Sequence, residues 1–267
     1  MRGRWHAESV TDEVIERTNS MKILITNDDG IDAEGLLLLV QAVLKAGDHD
    51  VTIVAPAHQC SAMSQRITLR EKLILKKTDY KVPGVKAYSL TGTPADCVKV
   101  ALAHVMKGDW PDAVFSGMNF GYNSGFDIIY SGTVGAAMEG ILHGIPSFAF
   151  SNAAYISNDL AVARLPELIN ILLEKEKDVS GIWNVNIPGC PVDKCRGILW
   201  DRKPAAMQFY ADNYLAEENL EGTELTVEGV PFDGVLEDDS DIAALQKDYI
   251  SIGRVQNMIT GVDYDRK

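Results

Sequence analysis

Lys22-Ile-Leu-Ile-Thr-Asn-Asp-Asp-Gly30 is the stretch that decides the fold. Ile23, Leu24 and Ile25 form an uninterrupted apolar run, as a strand buried on both faces shows. Asn27, Asp28, Asp29 and Gly30 end it, and a leucine-rich helical segment, Gly35 to Lys45, follows at once. Two carboxylates therefore sit at the carboxyl end of a buried strand, where it hands over to a helix. In open α/β sheets ligands bind at that edge. Asp28 and Asp29 are neighbours, so a regular strand would send them to opposite faces. The bend into the helix lets both face one site. Two close carboxylates raise each other's pKa unless a cation intervenes, so a bound metal is the economical reading. An Asx turn with an Asp N-cap is the structural alternative, and this stretch alone leaves both open.

Outward from that stretch the pattern repeats. Gly47 ends the first helix, and Val51-Thr-Ile-Val-Ala55 is a second buried strand stopped by Pro56. Strand, helix and strand in so short a span imply a βαβ unit with parallel strands. The polar run His58 to Arg66 lies at the carboxyl end of the second strand and can reach the edge that carries Asp28. Residues 67–90 alternate more and read as short antiparallel strands flanking the core, with their lysines on a solvated face. Thr93 before Pro94 is a helix start, and that helix runs to about Met106. Asp112 to Ser116 is a third buried strand, and Gly117 to Gly125 is its glycine-rich exit loop. Ser131-Gly-Thr-Val-Gly-Ala-Ala-Met-Glu-Gly140 opens another helix whose small residues allow close backbone approach. Free N–H groups and the positive dipole end favour an anion there, though tight helix–sheet packing also selects Gly and Ala. Ile145 to Phe150 is a strand, Leu160 to Glu176 an amphipathic helix, and Trp183 to Ile187 a further strand. Beyond Pro188 the alternation gives way to short β segments over 196–235. An acidic turn, Glu237 to Asp241, then caps a short helix, and Tyr249 to Ile252 is the last strand.

Composition narrows the function. At 267 residues the chain suits one α/β domain with additions, and 46% apolar residues are too many for a disordered chain. A formal net charge of -13 argues against a nucleic-acid polymer as main partner. A small anionic substrate stays open, because one metal and a few N–H groups reverse the local potential. The four cysteines, Cys60, Cys97, Cys190 and Cys195, form no CxxC pair and have no His-rich neighbourhood, so no zinc site is expected. No apolar run reaches membrane-spanning length, and residues 1–20 have no apolar core of a secretory signal. The cytoplasm is the expected compartment.

Four oxygen-bearing side chains converge on strand-exit positions: Asp28, Asp29, Ser61 and Asn119. Oxygen ligands suit hard cations, Mg²⁺ or Mn²⁺, better than Zn²⁺. With an anion pocket at the mouth formed by Ser131 to Gly135, the set reads as phosphate chemistry. No GxxxxGK[ST], GxGxxG or GxSxG motif is present. An aspartyl-phosphate route needs a second Asp two places on, where Gly30 stands. A receiver module, the rival of another class, needs an acceptor Asp at the end of a later strand, and the third strand exits through Ser116-Gly-Met-Asn119.

Asn27-Asp-Asp-Gly30, the Ser61 loop, Gly92-Thr-Pro-Ala-Asp-Cys97, Ser116-Gly-Met-Asn-Phe-Gly121 and Ser131 to Glu139 together resemble the successive motifs of the SurE family. These stationary-phase survival proteins are metal-dependent 5'/3'-nucleotidases. The likeness covers about residues 21–190 and, more loosely, the rest. It implies a Rossmann-like three-layer α/β fold with a mostly parallel sheet and a C-terminal β-rich oligomerisation arm. The corresponding division is an extension over 1–20, a core over 21–204 and the arm over 205–267. The resemblance further implies one divalent metal per subunit on Asp28, Asp29, Ser61 and Asn119, with Asp28 and Asp29 catalytic. Ser131, Gly132 and Thr133 would hold the phosphate of a nucleoside monophosphate, in a homodimer or homotetramer. Ser64 competes with Ser61 for the ligand role, and Ile252-Gly-Arg-Val255 departs from the family's usual Thr-Pro-Leu step.

Overall fold

The computed structural model describes residues 20–153, 156–176, 179–219, 221–231 and 236–256. The N-terminal extension therefore lies, but for Ser20, outside the described residues.

The chain opens as its sequence implies. β1 (Lys22–Thr26) leads into α1 (Glu34–Ala46), which returns to β2 (Asp50–Pro56). An antiparallel pair follows, β3 (Leu75–Thr78) and β4 (Lys86–Leu90). Then come α2 (Pro94–Val100), prolonged by a π-helical turn to Val105, and β5 (Ala113–Phe120). A 3₁₀ turn, Gly125–Ile129, precedes α3 (Gly132–Leu142). β6 (Ser147–Asn152), α4 (Asp159–Lys175) and β7 (Gly181–Ile187) complete the regular alternation. The remainder is β8 (Ile198–Leu199), the hairpin β9 (Tyr210–Asn219) and β10 (Gly222–Pro231), α5 (Asp241–Gln246) and β11 (Ile250–Gln256).

Among the described residues nine strands make one sheet in the order β3-β4-β2-β1-β5-β6-β7-β11-β8. The run from β4 through β7 is parallel throughout. Against that core run β3, antiparallel to β4, and β11, antiparallel to β7, with β8 parallel to β11. β4 thus joins the parallel core, whereas its sequence suggested a flanking antiparallel strand. The reason is its register on β2, Thr52 opposite Lys86 through Pro56 opposite Leu90, which buries Ala87 and Leu90.

β1 is the axis of this arrangement. Ile23, Leu24 and Ile25 are fully buried, and they split between two cores. Ile23 and Ile25 pack with α1 and α4 on one face, while Leu24 packs with α2 on the other. The strand period of two explains why an unbroken apolar run is needed here. Helices on both faces give three layers, and the carboxyl ends of β1, β2 and β5 meet at one edge.

The segment beyond residue 205 has two parts. β11 lies inside the main sheet between β7 and β8, with α5 packed on it. β9 and β10 form a separate two-stranded ribbon, each ten residues long, paired with each other. The sequence read as shorter segments there because both faces are wet: Tyr214, Leu215, Leu225 and Val227 are exposed beside glutamates, so no alternation marks an inner face. No helix among the described residues is long and apolar enough to cross a membrane.

Candidate active site

Asp28 lies two residues beyond the end of β1 and is 4% exposed. The turn after it is closed by Asn27, whose Nδ2 donates to the Gly30 carbonyl and whose Oδ1 accepts from the Gly30 N–H. Gly30 has φ +100°, a conformation that favours glycine. This Asx-type turn is made by Asn27, so the two carboxylates are released from the capping role. α1 has no side-chain cap at all.

The turn lets the adjacent carboxylates face one edge. Asp28 Oδ1 accepts from Thr133 Oγ1 at 2.6 Å, and the Thr133 N–H donates to the same carboxylate. Burial pushes the Asp28 carboxyl up to about 6, with the charge of Asp29 adding to it and the Thr133 bonds opposing it. Burial also raises Asp29, against hydrogen bonds from the Phe120 N–H and Gln59. Asp29 Oδ2 is buried without a partner. A buried anion beside a half-buried one that has an orphaned oxygen is unfavourable until positive charge arrives.

Ser61 lies on the exposed loop after β2, and Gln59 brings it to the carboxylates. Gln59 Nε2 donates to Ser61 Oγ at 3.0 Å and to Asp29 Oδ1 at 3.3 Å. The loop is seated at several points. The Cys60 N–H reaches the Asp28 carbonyl at 2.6 Å, and the Ser64 N–H reaches the Tyr130 carbonyl at 2.8 Å. Gln65 Nε2 donates to Glu139 Oε2, which is buried on α3 beside Lys99 and His143. Ala62 and Ser64 both sit at positive φ, about the same strained region twice in three residues. The Ser64 carbonyl lies only 2.2 Å from where a Cβ on Gly135 would be, so the second glycine of the helix motif exists to admit this loop.

Asn119 comes from β5, where the register against β6 shifts between Ser116 and Asn119. Such a bulge re-aims side chains at a strand end. Asn119 Nδ2 donates to the Gly121 carbonyl at 2.8 Å, which leaves its amide oxygen outside that bond. The next residue, Phe120, turns its N–H to the Asp29 carboxylate, so the end of β5 also meets the turn that follows β1.

Ser131, Gly132 and Thr133 form the mouth of α3, and all three are buried. Ser131 Oγ is the N-cap, accepting from the Val134 N–H at 3.1 Å. Gly132 faces Asp28 directly: a Cβ there would lie 3.0 Å from Asp28 Cβ and 3.2 Å from its Oδ2. Thr133, placed by resemblance at the phosphate, directs both its hydroxyl and its N–H to Asp28. Among the first three N–H groups of the helix, Gly132 alone keeps no protein partner among the described residues.

Sequence reasoning brought all seven residues to one edge but missed Gln59, the Phe120 N–H and Glu139. Gln59 carried a faint signal, a long amide two places before Ser61 in a polar exit loop. The roles of the Phe120 backbone and of Glu139 depend on pairings across 91 and 74 residues, which no local pattern encodes. Asp96 is structural: with Thr93 it makes a capping box on α2, and it also accepts from Thr68. Among the described residues no three His, Cys, Asp or Glu side chains form a metal cage. The candidate set therefore consists of two carboxylates, a hydroxyl and an amide.

Comparison with known proteins gives the family. The family model described as "Survival protein SurE" matches residues 23–208. A protein named 5'-nucleotidase SurE from Clostridium botulinum (strain Loch Maree / Type A3) is 38% identical over 238 residues, 87% of this chain and 91% of its own length. Its namesake from Thermosipho africanus is 35% identical over 256 residues, 91% of this chain and 94% of its own. Among solved structures, the SurE protein from Aquifex aeolicus superposes with a TM-score of 0.76 at 30% identity, covering 90% of this chain and 95% of that one. With the fold, the five motifs in order and relatives that span nearly its whole length, this chain belongs to the SurE family.

Proposed function

We propose that the protein is a 5'-nucleotidase that hydrolyses nucleoside 5'-monophosphates, and 3'-monophosphates, to nucleoside and phosphate with the help of one divalent cation per subunit. The observation that carries this reading is the meeting of the Asp28–Asp29 pair with the mouth of α3, where Asp28 Oδ2 stands 3.2 Å from the Cβ position of Gly132. A cation site and an anion site thus share one wall. The names of the relatives from Clostridium botulinum and Thermosipho africanus support the same activity.

The residues fit a hard cation. Asp28, Asp29, Ser61 and Asn119 offer oxygen only, and the buried Asp29 Oδ2 lacks any partner in the protein. Mg²⁺ or Mn²⁺ is the expected ion. When bound, such a cation polarises phosphoryl oxygens and makes a water molecule a better nucleophile.

The protein's own groups do the remaining work. Thr133 fixes the Asp28 carboxylate through two hydrogen bonds, so its second oxygen points toward the helix mouth. Gln59 and the Phe120 N–H hold Asp29 in the same way. Asp28 or Asp29 accepts the proton of the attacking water. The Gly132 N–H and the dipole of α3 steady the charge on the phosphoryl oxygens. The absence of a Cβ at Gly132 lets the phosphate approach the backbone.

The protein acts in the cytoplasm, a reading supported by its four free cysteines. It assembles as a homodimer or homotetramer through the chain beyond residue 205, a reading supported by the exposed apolar side chains of the β9–β10 ribbon. The decisive assay is phosphate release from a panel of nucleoside monophosphates, with and without added Mn²⁺ or Mg²⁺. Activity is expected only with the cation. Full turnover in excess chelator after exhaustive dialysis, or no release from any nucleotide, would sink the reading.

A further inference from the structure

The loop that joins Asn119 to Ser131 is gripped from the far end of the chain. Asp241 opens α5 and is 3% exposed. Its carboxylate meets no cation among the described residues; it accepts three backbone N–H groups from three separate segments. Oδ2 accepts from Gly125 at 2.9 Å, and Oδ1 accepts from Ala205 at 2.9 Å and from Ile242 at 2.8 Å. Burial raises its carboxyl and the three N–H groups lower it.

The capping of α5 does not require this residue. Ser240 is the N-cap, with Oγ accepting from the Ala243 N–H at 3.2 Å. A buried carboxylate is an expensive way to begin a six-residue helix when a serine already caps it. What Asp241 adds is the bond to Gly125. Two more bonds run beside it. The Phe126 N–H reaches the Met207 carbonyl at 2.8 Å, and the Phe209 N–H reaches Asp127 Oδ2 at 3.0 Å. Gly125 has φ +55°, and a Cβ there would lie 2.1 Å from the Met207 carbonyl oxygen. The 3₁₀ turn Gly125–Ile129 is therefore laid against the irregular segment 205–209, and it delivers Ser131 and the mouth of α3 immediately afterwards.

We propose that Asp241 is a positioning residue for the anion site: by tying Gly125 to Ala205 it sets the place of the turn that feeds Ser131 and Gly132. The inference rests on the reading of the α3 mouth as the phosphate site. It also gives the C-terminal segment a role in the core chemistry, because both residues 205–209 and Asp241 bear on this turn.

Asp241→Asn separates the possibilities. The amide oxygen still accepts from Ala205 and Ile242, while the amide nitrogen faces the Gly125 N–H, donor against donor. Ser240→Ala is the control, since it weakens α5 without touching the turn. Binding of inorganic phosphate to the Mn²⁺-loaded full-length protein is measured by calorimetry, together with kcat, KM for AMP and the melting temperature. Asp241→Asn is expected to weaken phosphate binding and raise KM by about tenfold, more than it lowers kcat, as loss of one buried hydrogen bond can do. Ser240→Ala should leave both within about twofold while lowering the melting temperature. Should Asp241→Asn fail to fold, Asp127→Ala removes the acceptor of the half-buried neighbouring bond from the Phe209 N–H and should give a smaller shift of the same sign. Unchanged phosphate binding in a folded Asp241→Asn protein (or in Asp127→Ala where that variant stands in), or an equal change in Ser240→Ala, overturns the inference. A wild-type protein that binds phosphate yet leaves AMP intact refutes the nucleotidase reading and not this one; a wild type that binds no phosphate overturns this one.

Discussion

Replacing Asp28 by Asn should kill the enzyme and stabilise the metal-free protein. The two effects have one cause. In the folded protein the Asp28 carboxyl titrates at about 6, against an ordinary value of 3.8, because burial disfavours its charge and Asp29 stands beside it. A folded pKa above the unfolded one means that the native state holds the proton more tightly. The stability from that proton is complete below about pH 4 and is lost as pH rises through about 6. Two pKa units correspond to about 3 kcal/mol at 1.36 kcal/mol per unit, so that is the ceiling on what the ionised side chain costs at pH 8. Asn is neutral, and its amide oxygen can still accept from Thr133. It forgoes the helix-dipole attraction, worth about 0.3–1 kcal/mol. The net gain should be about 2 kcal/mol at pH 8, or roughly 4–8 °C in melting temperature for a domain of this size. The gap should close as pH falls from 6 to 4. Thermal melts in excess chelator at pH 8, 6 and 4 read the stability, and turnover at saturating Mn²⁺ reads the chemistry. Loss of a charged ligand should cost at least the roughly 10–100-fold typical of outer-shell partners. An apo variant less stable than wild type at pH 8, or one as active as wild type, would refute the argument and return Asp28 to a turn-forming role.

Other perturbations test the frame around the site. Gly135→Ala places a Cβ 2.2 Å from the Ser64 carbonyl oxygen, which is backbone and cannot step aside; it should cost about 1–3 kcal/mol and weaken Mn²⁺ binding, read by titration of the dialysed protein. Gly132→Val presses on Asp28 itself and should raise both KM and the inhibitory phosphate concentration; if neither moves, the helix mouth is not the phosphate site. Glu139 is held below its ordinary range: burial opposes ionisation, but His143, Gln65 and Lys99 outweigh it. Glu139→Gln should therefore destabilise the protein at pH 7, by about 1–3 kcal/mol, with the difference shrinking as pH falls below about 4.5. Sedimentation at micromolar concentration should give a mass above one subunit, and a single-subunit mass would count against assembly through the ribbon.

Much of this was legible in the sequence. The apolar run Ile23–Ile25, cut off by Asn27-Asp-Asp-Gly30, placed two carboxylates at the carboxyl edge of a buried parallel strand. Thr93-Pro94 and Ser131-Gly132 marked helix starts, and both Thr93 and Ser131 proved to be N-caps. Those features are local: apolar periodicity, a proline's fixed φ, a hydroxyl two or three residues from a free N–H. Other facts needed the folded chain. Whether Thr133 faced a phosphate or a carboxylate depended on how closely α3 approaches β1, which Gly132 permits and no spacing reveals. Asp96 and Asp241 look alike in sequence, each an acid in the first turn of a short helix. One caps its own helix, and the other reaches across 116 residues to Gly125. A carboxylate accepts from whichever N–H groups the fold brings to it, so its partners are decided by tertiary contact and not by neighbours along the chain. The β9–β10 ribbon shows the same division. Its residues suit strands, but with both faces exposed they carry no pattern that could give its length or its detachment from the main sheet.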